Sequence, residues 1–221
     1  MSTPEARPAA TVALVRAGAA GGNGALEVLL VLRHAKMAFM GQVWVFPGGK
    51  VDADDGEGDL GARRAAVRET LEEVGIALGG PADLIPFARW VTPHSEPRRF
   101  DTMFYLVEVA RGWEVRLAED ELSAALWLEP ADALARHARG ELALAPPTWW
   151  TLEGLRRAGA VEAARAWAHG EALRGLAPLT PTLALEGGGV TVSVPGDALP
   201  LPPGDVVSGR LVMRRGVWSP G

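Results

Sequence analysis

The chain has 221 residues, 48% of them apolar, and a formal net charge of −5, the size and balance of one domain or of one domain with an appendage. It has no cysteine, which excludes disulfides, thiol nucleophiles and cysteine-based zinc sites. No Lys/Arg run is long enough to track a nucleic-acid duplex, no stretch of about 18 apolar residues offers a membrane span, and the first residues lack a signal-peptide core, so a soluble, cytoplasmic protein is expected.

Residues 1–9 read as a disordered lead-in. Thr11 to Val15 is a short strand-like run, and the Ala/Gly-rich residues 17–25 make a turn. Leu26 to Arg33 is the next strand, apolar almost throughout, as a central strand covered on both faces should be. Trp44-Val45-Phe46 is another short apolar run, which breaks at Pro47-Gly48-Gly49 into a polar loop. A helix follows, and its last two turns read Arg68-Glu69-Thr70-Leu71-Glu72-Glu73-Val74-Gly75.

At about 100° per residue, Ala66, Val67, Thr70, Leu71 and Val74 fall on one side of that helix and Glu69, Glu72 and Glu73 on the other. Glu69 and Glu73 are an i, i+4 pair, and like charges at that spacing cost roughly 0.2–0.5 kcal/mol. Partial shielding from water raises the repulsion to several kcal/mol at about 4 Å and an effective dielectric near 20. Either the face is solvated, or a divalent cation sits on it, and hard oxygen ligands suit Mg2+. Arg68, i, i+4 from Glu72, is placed to hold one carboxylate.

The pattern Gly48-Gly49, a loop, Arg68-Glu69, Glu72-Glu73, Gly75 and Ile76 resembles the Nudix box. Arg68 follows Gly49 by 19 positions, five more than usual, so the loop carries an insertion between Asp52 and Asp59. Asp52, Asp55 and Glu57 compete for the acidic position expected midway. Leu29 to His34, then Phe39-Met40-Gly41 and Phe46-Pro47-Gly48-Gly49, resemble the Nudix branch related to peroxisomal coenzyme A diphosphatases. Arg33 stands after the strand there, and Lys36 is a candidate for the pocket's basic residue. The plain alternative for Arg33, His34 and Lys36 is a polar strand exit.

After the box, Ala82 to Val91 and Met103 to Val109 read as strands. Between them the run Pro97-Arg98-Arg99-Phe100-Asp101-Thr102 resembles the same branch. Paired arginines suit phosphate oxygens, but neighbours on a strand point to opposite faces, so at most one of Arg98 and Arg99 faces the site. The alternative is that either pairs with Asp101 or Glu96. His94 reads as a loop histidine. Glu121, and after it Glu119, is the candidate for the acidic residue that the family often places outside the box. Pro130 starts a helix to about Arg139, Pro147 another through Thr148 to Ala158, and a third covers Val161 to Leu173. Trp149 and Trp150 read as packing residues. Seven of the 17 prolines fall between Pro178 and Pro220, where Val190 to Val194 and Gly209 to Arg214 suggest a hairpin or an added edge strand.

The resemblance implies an α/β/α sandwich with a mixed central sheet over residues 10–174, extra C-terminal helices and a Pro/Gly-rich extension over 175–221. That extension is open to three uses: packing on the domain, covering a substrate, or joining a homodimer. The activity implied is hydrolysis of a phosphoanhydride in a nucleoside diphosphate linked to another moiety, with Mg2+ or Mn2+. The implied metal ligands are Glu69, Glu72, Glu73, Glu121 and the Gly49 carbonyl. Arg68 orients a carboxylate, and Glu69 or Glu121 is the base. Arg33, Lys50, Arg98 and Arg99 are the candidate substrate-binding cations. Coenzyme A or an ester of it is the first substrate candidate, with ADP-ribose or another nucleoside diphosphate derivative as the alternative. A nucleotide-binding sensor that does not cleave its ligand is the rival from another class.

Overall fold

The run Val28 to Val31 in β2 (Leu26–Arg33) carries four successive apolar side chains, and all four are fully buried, two on each face. That strand can exist only inside a covered sheet. The computed structural model describes residues 4–18, 25–36, 41–186, 188–201 and 205–221. Phe39-Met40 of the expected turn, most of the Ala/Gly-rich 17–25 turn and Met1 to Thr3 of the lead-in lie outside the described residues.

β1 (Arg7–Ala17) runs antiparallel to β2 at Val15 to Ala17 and parallel to β6 (Phe100–Glu108), from Arg7 opposite Phe100 to Val15 opposite Glu108. β5 (Ile85–Val91) closes that side antiparallel to β6, and β7 (Leu122–Leu128) lies antiparallel to β2 on the other. One parallel pair among antiparallel ones makes the sheet mixed, as expected. The strand at the N-terminus starts earlier than Thr11, so Arg7 to Ala9 are not lead-in: the parallel partner β6 provides hydrogen bonds for the whole stretch. β5 starts at Ile85 rather than Ala82, because Pro81–Asp83 form a turn of 3-10 helix.

β1 and β2 pair only at one end, and the gap between them is filled by the segment around the two glycines. β3 (Trp44–Val45) pairs with β2 at Val31 and Leu32, and β4 (Gly48–Lys50) pairs with β1 at Ala9 to Thr11. Gly48-Gly49 is therefore a strand in the sheet and not the start of a loop. Buried Thr11 fixes its approach, donating its hydroxyl to the carbonyl of Pro47 at 2.8 Å.

Alternate residues of the sheet feed two cores. Val12, Leu14, Leu29, Val31 and Tyr105 pack with α1 (Gly58–Val74), and Ala13, Val15, Val28, Leu30 and Leu106 pack toward three later helices. The side of α1 against the sheet is made of Gly61, Ala62, Ala65 and Ala66, small enough for helix and sheet to come close. That choice of face corrects the helical reading. Leu71 is 52% exposed, whereas Glu73 is buried. Gly75 ends the helix at φ 70°, in the left-handed region that glycine enters without strain, and donates its N–H to Leu71.

The other layer holds α2 (Pro130–Ala138), α3 (Pro146–Ala158) and α4 (Val161–Arg174), the first two opened by proline. Trp150 is a packing residue, stacked on Trp90 with ring centroids 5.1 Å apart. Beyond α4 the expected hairpin is a second, four-stranded antiparallel sheet. It comprises β8 (Thr182–Glu186), β9 (Gly189–Leu201), β10 (Asp205–Arg214) and β11 (Val217–Pro220), in the order β11-β10-β9-β8. It is docked on the helical layer through Trp218, whose backbone N–H donates to His137 Nε2 at 2.7 Å and whose indole donates to the Leu144 carbonyl at 2.9 Å. Among the described residues no helix is long and apolar enough to cross a membrane.

Candidate active site

The forked sheet brings α1 and β4 together, and the acidic residues of α1 meet the backbone of Gly48-Gly49 there. Glu73 is buried and accepts the Gly48 N–H on Oε2 at 2.8 Å. Glu69, one turn earlier, lies against Gly49 so closely that a side chain there would collide with its carboxylate. Glu72 points to solvent. The three glutamates thus do not share one face: two turn into the site and the third stays at its rim.

Arg68 ties the cluster together. Its Nη1 donates to Glu69 at 2.9 Å and to Glu72 at 3.0 Å. On its other side Nη2 and Nε grip both oxygens of Asp55, at 2.8 and 3.2 Å, and Nη2 also reaches the Lys50 carbonyl at 3.1 Å. Asp55, only 6% exposed, is thereby selected from the three residues that compete for the midway acidic position, and it also accepts the Asp52 N–H. The Arg68 guanidinium holds the Asp55 carboxyl below the usual carboxylate range. The insertion is absorbed by the 3-10 turn Ala53–Asp55 and the start of α1.

Burial pushes the Glu73 carboxyl up to about 8, with the charges of Glu69 and Glu121 adding to the shift and the Gly48 N–H and Arg33 opposing it. Burial also raises Glu69, against the pull of Arg68. In both the first cause is burial, which disfavours the charged form. Glu121 lines the same cleft at the head of β7, while Glu119 is exposed on the turn before it.

Among the described residues no three Asp, Glu or His side chains stand gathered as a ready metal cage, unlike the expected set of Glu69, Glu72, Glu73 and Glu121. The geometry gives the reason: Arg68 draws Glu69 and Glu72 toward itself, and Glu73 is turned onto Gly48. The donors nonetheless fit a hard cation in kind, being carboxylate and carbonyl oxygens around a buried acid that lacks a full counter-charge.

The expected cations divide in two. Arg33, at the end of β2, lines the cleft with a buried Nε that has no partner among the described residues, and Lys50, Lys36 and Arg98 are exposed along its rim. Arg99 is different. It is buried, and its guanidinium donates to the carbonyls of Thr92 and Pro4 at 3.0 and 2.8 Å, tying down backbone. Neither arginine holds Asp101, which forms a two-pronged pair with Arg89 at 2.8 and 2.6 Å. The cleft holds about 1830 Å3, well above the range of about 300–1,000 Å3 for ordinary small-molecule pockets. Sequence reasoning misses Thr11, and leaves the C-terminal extension open among three uses, of which covering a substrate is one; both reach the cleft through contacts distant in the chain, for which no local signal exists.

A family model described as NUDIX domain matches residues 6–147. A Caenorhabditis elegans relative whose name includes nudix hydrolase 7 is 31% identical over 163 residues, 58% of this chain and 55% of its own length. This chain thus spans little more than half of that relative. The acyl-coenzyme A diphosphatase NUDT19 of Gallus gallus is 24% identical over 300 aligned positions, 87% of this chain and 79% of its own. The crystal structure of a NUDIX hydrolase from Alicyclobacillus acidocaldarius superposes with a TM-score of 0.67 at 30% identity, covering 75% of this chain and 97% of that one.

Proposed function

The chain belongs to the Nudix family; from that premise we propose that it is a pyrophosphohydrolase that splits the diphosphate of coenzyme A or of its esters, using Mg2+ or Mn2+. The observation that carries the reading is the meeting of Glu69 and Glu73 with the Gly48-Gly49 strand inside a cleft large enough for a nucleotide with a long second half. The likeness to an acyl-coenzyme A diphosphatase supports the choice of substrate.

Nudix hydrolases generally use divalent ions. Here Glu69, Glu73, Glu121 and the Gly49 carbonyl would hold one or more, with Glu72 at the rim. The ion supplies neutralisation of the diphosphate charge and acidification of water. The rest falls to side chains. Arg68 keeps Glu69 oriented while anchored itself on Asp55. Arg33 would offer the diphosphate its guanidinium inside the cleft, and Arg98 and Lys50 would add charge at the mouth. The proton of the attacking water goes to Glu69 or Glu121, the two remaining carboxylates on the cleft side; replacing each by glutamine tells them apart by the loss of the acid limb of the pH–rate profile.

The test is a panel of coenzyme A, ADP-ribose, NADH, UDP-glucose and nucleoside triphosphates with Mg2+ or Mn2+, products resolved by mass. Release of 3′,5′-ADP is expected. Cleavage of another member alone would overturn the substrate, and tight binding without turnover would favour a sensor.

A further inference from the structure

Resting on the diphosphatase reading, we propose that the C-terminal sheet is an aliphatic wall for the non-nucleotide end of the substrate, with Leu183, Val190 and Met213 setting preference for an acyl chain. These strands lie past residue 147, where the match to the NUDIX domain stops.

The strand register makes the wall. Val192 stands opposite Leu183 on one side and Leu211 on the other, and Val190 stands opposite Leu185 and Met213. Directly opposed residues share a face, as do residues two apart on β9, so all six side chains are on one side of the sheet. The two ranks have different surroundings. Val192 and Leu211 are buried against the core of the domain, whereas Leu183 is 39% exposed, Leu185 is 85% exposed, and Val190 and Met213 are half-buried. An apolar face therefore extends past the packed domain, and its inner part, Leu183, Val190 and Met213, lines the cleft that also holds Glu69, Glu73 and Arg33.

The chemistry of this wall favours an alkyl chain over a base or a sugar. Among the described residues every side chain that the C-terminal sheet gives to the cleft is apolar, so a hydroxyl or amide placed against them would lose its water without gaining a partner there. The ring that the sheet itself gives to the cleft, Trp218, is buried with its indole N–H on the Leu144 carbonyl. The same cleft is lined by Trp90, Phe104 and Pro146, again apolar, the two rings being buried. The carboxylates that process the diphosphate and the aliphatic wall thus belong to one continuous cavity, and a substrate with a diphosphate and an acyl tail fills both.

The experiment compares hydrolysis of coenzyme A and its acetyl, hexanoyl and dodecanoyl thioesters by the full chain with Mg2+, beside calorimetric binding of the free and dodecanoyl forms without turnover. A fully buried methylene is worth about fourfold, so dodecanoyl should exceed acetyl by at least about tenfold in kcat/KM, mainly through KM. In Leu183→Asn, and in the near-isosteric Val190→Thr that keeps strand preference, that ratio should fall toward one while circular dichroism stays unchanged. Equal rates and equal binding for all chain lengths would overturn the wall and leave the diphosphatase reading intact. No turnover with tighter binding of the dodecanoyl form would sink that reading and keep the wall, and binding of neither would end the wall as well. Light scattering covers the remaining occupant: a dimer that Leu183→Asn dissociates would show that a second copy sits on the wall.

Discussion

Placing a methyl group on each of the two adjacent glycines should break two different things. A Cβ on Gly49 would stand 2.3 Å from Glu69 Oε1 and 2.4 Å from its Cδ, far inside contact distance, but both atoms end a flexible side chain. The cheapest response is for Glu69 to swing away. Gly49→Ala should then keep the fold, with Tm within about 4 °C of wild type, since one rotamer change into the open cleft costs on the order of 1 kcal/mol. Its turnover should drop at least about 100-fold, the scale set by an ångström of misplacement in a catalytic group. A Cβ on Gly48 meets the Ala10 carbonyl at 2.2 Å and Thr11 Cα at 2.6 Å, which are backbone of the central strand, and Gly48 sits at φ 149°. Gly48→Ala should cost about 2–4 kcal/mol in strain and overpacking, or about 4–16 °C in Tm for a chain of this size. Thermal denaturation and steady-state turnover on both variants make the comparison. Wild-type turnover by a folded Gly49→Ala would refute the assignment of Glu69 to its seat, and an unchanged Tm for Gly48→Ala would refute the close strand approach.

Glu73→Gln should fold but lose turnover by orders of magnitude; an unaffected rate removes Glu73 from the site. In the metal-free protein the Glu73 proton is held to about 8 when folded against an ordinary 4.5, so the native state carries the extra proton between those values and stability falls as pH rises through them. Denaturation in a chelator from pH 5 to 9 should show that slope in wild type and a flatter one in Glu73→Gln, while Mn2+ affinity by calorimetry should rise with pH up to about 8; a pH-independent affinity contradicts this. Asp55→Ala removes the anchor of Arg68 and should cost about 2 kcal/mol together with activity, read by Tm and turnover; a loss of activity with no loss of stability would mean that the pair is not structural. His137 is buried and its ordinary value of 6.5 is lowered, first by burial; its Nε2 must also stay bare to accept the Trp218 N–H. The stability that it gives is present above about 6.5 and lost as pH falls, so the protection factors of the Val217, Trp218 and Ser219 amides, corrected for intrinsic exchange, should drop from pH 7 to 5, and equal protection at both would dismiss the coupling.

Much of the site could be read in the chain because it is local. Arg68, Glu69, Glu72 and Glu73 sit within two helical turns, and the helix periodicity together with the glycines specifies their neighbourhood. What could not be read is what distant strands do to those residues. The periodic pattern sets Leu71 inside and Glu73 outside; the sheet reverses both, since α1 packs through Gly61, Ala62, Ala65 and Ala66, which carry little apolar signal. Gly48-Gly49 looks like a loop because two glycines favour one, and is a strand because β1 supplies its partner. Arg98 and Arg99 are equivalent in sequence, and they are separated only by the Thr92 and Pro4 carbonyls, which hold Arg99 in the loop before β6. Helix starts at proline are readable because proline acts on its own backbone. Of the second sheet only the pairing of Val190 to Val194 with Gly209 to Arg214 is suggested, as a hairpin or an edge strand, because its four strands define one another.

One further result of that second sheet concerns solubility. On the way from α4 into β8, Leu179 exchanges backbone hydrogen bonds with Arg89 and Val91, both at 2.8 Å, along the otherwise open margin of β5. A chain trimmed after Arg174 would bare that margin, and with it the greasy patches now under Val192 and Leu211. An uncapped strand beside exposed aliphatic surface is a template for self-association, so such a shortened protein is expected to precipitate rather than to survive as a smaller enzyme.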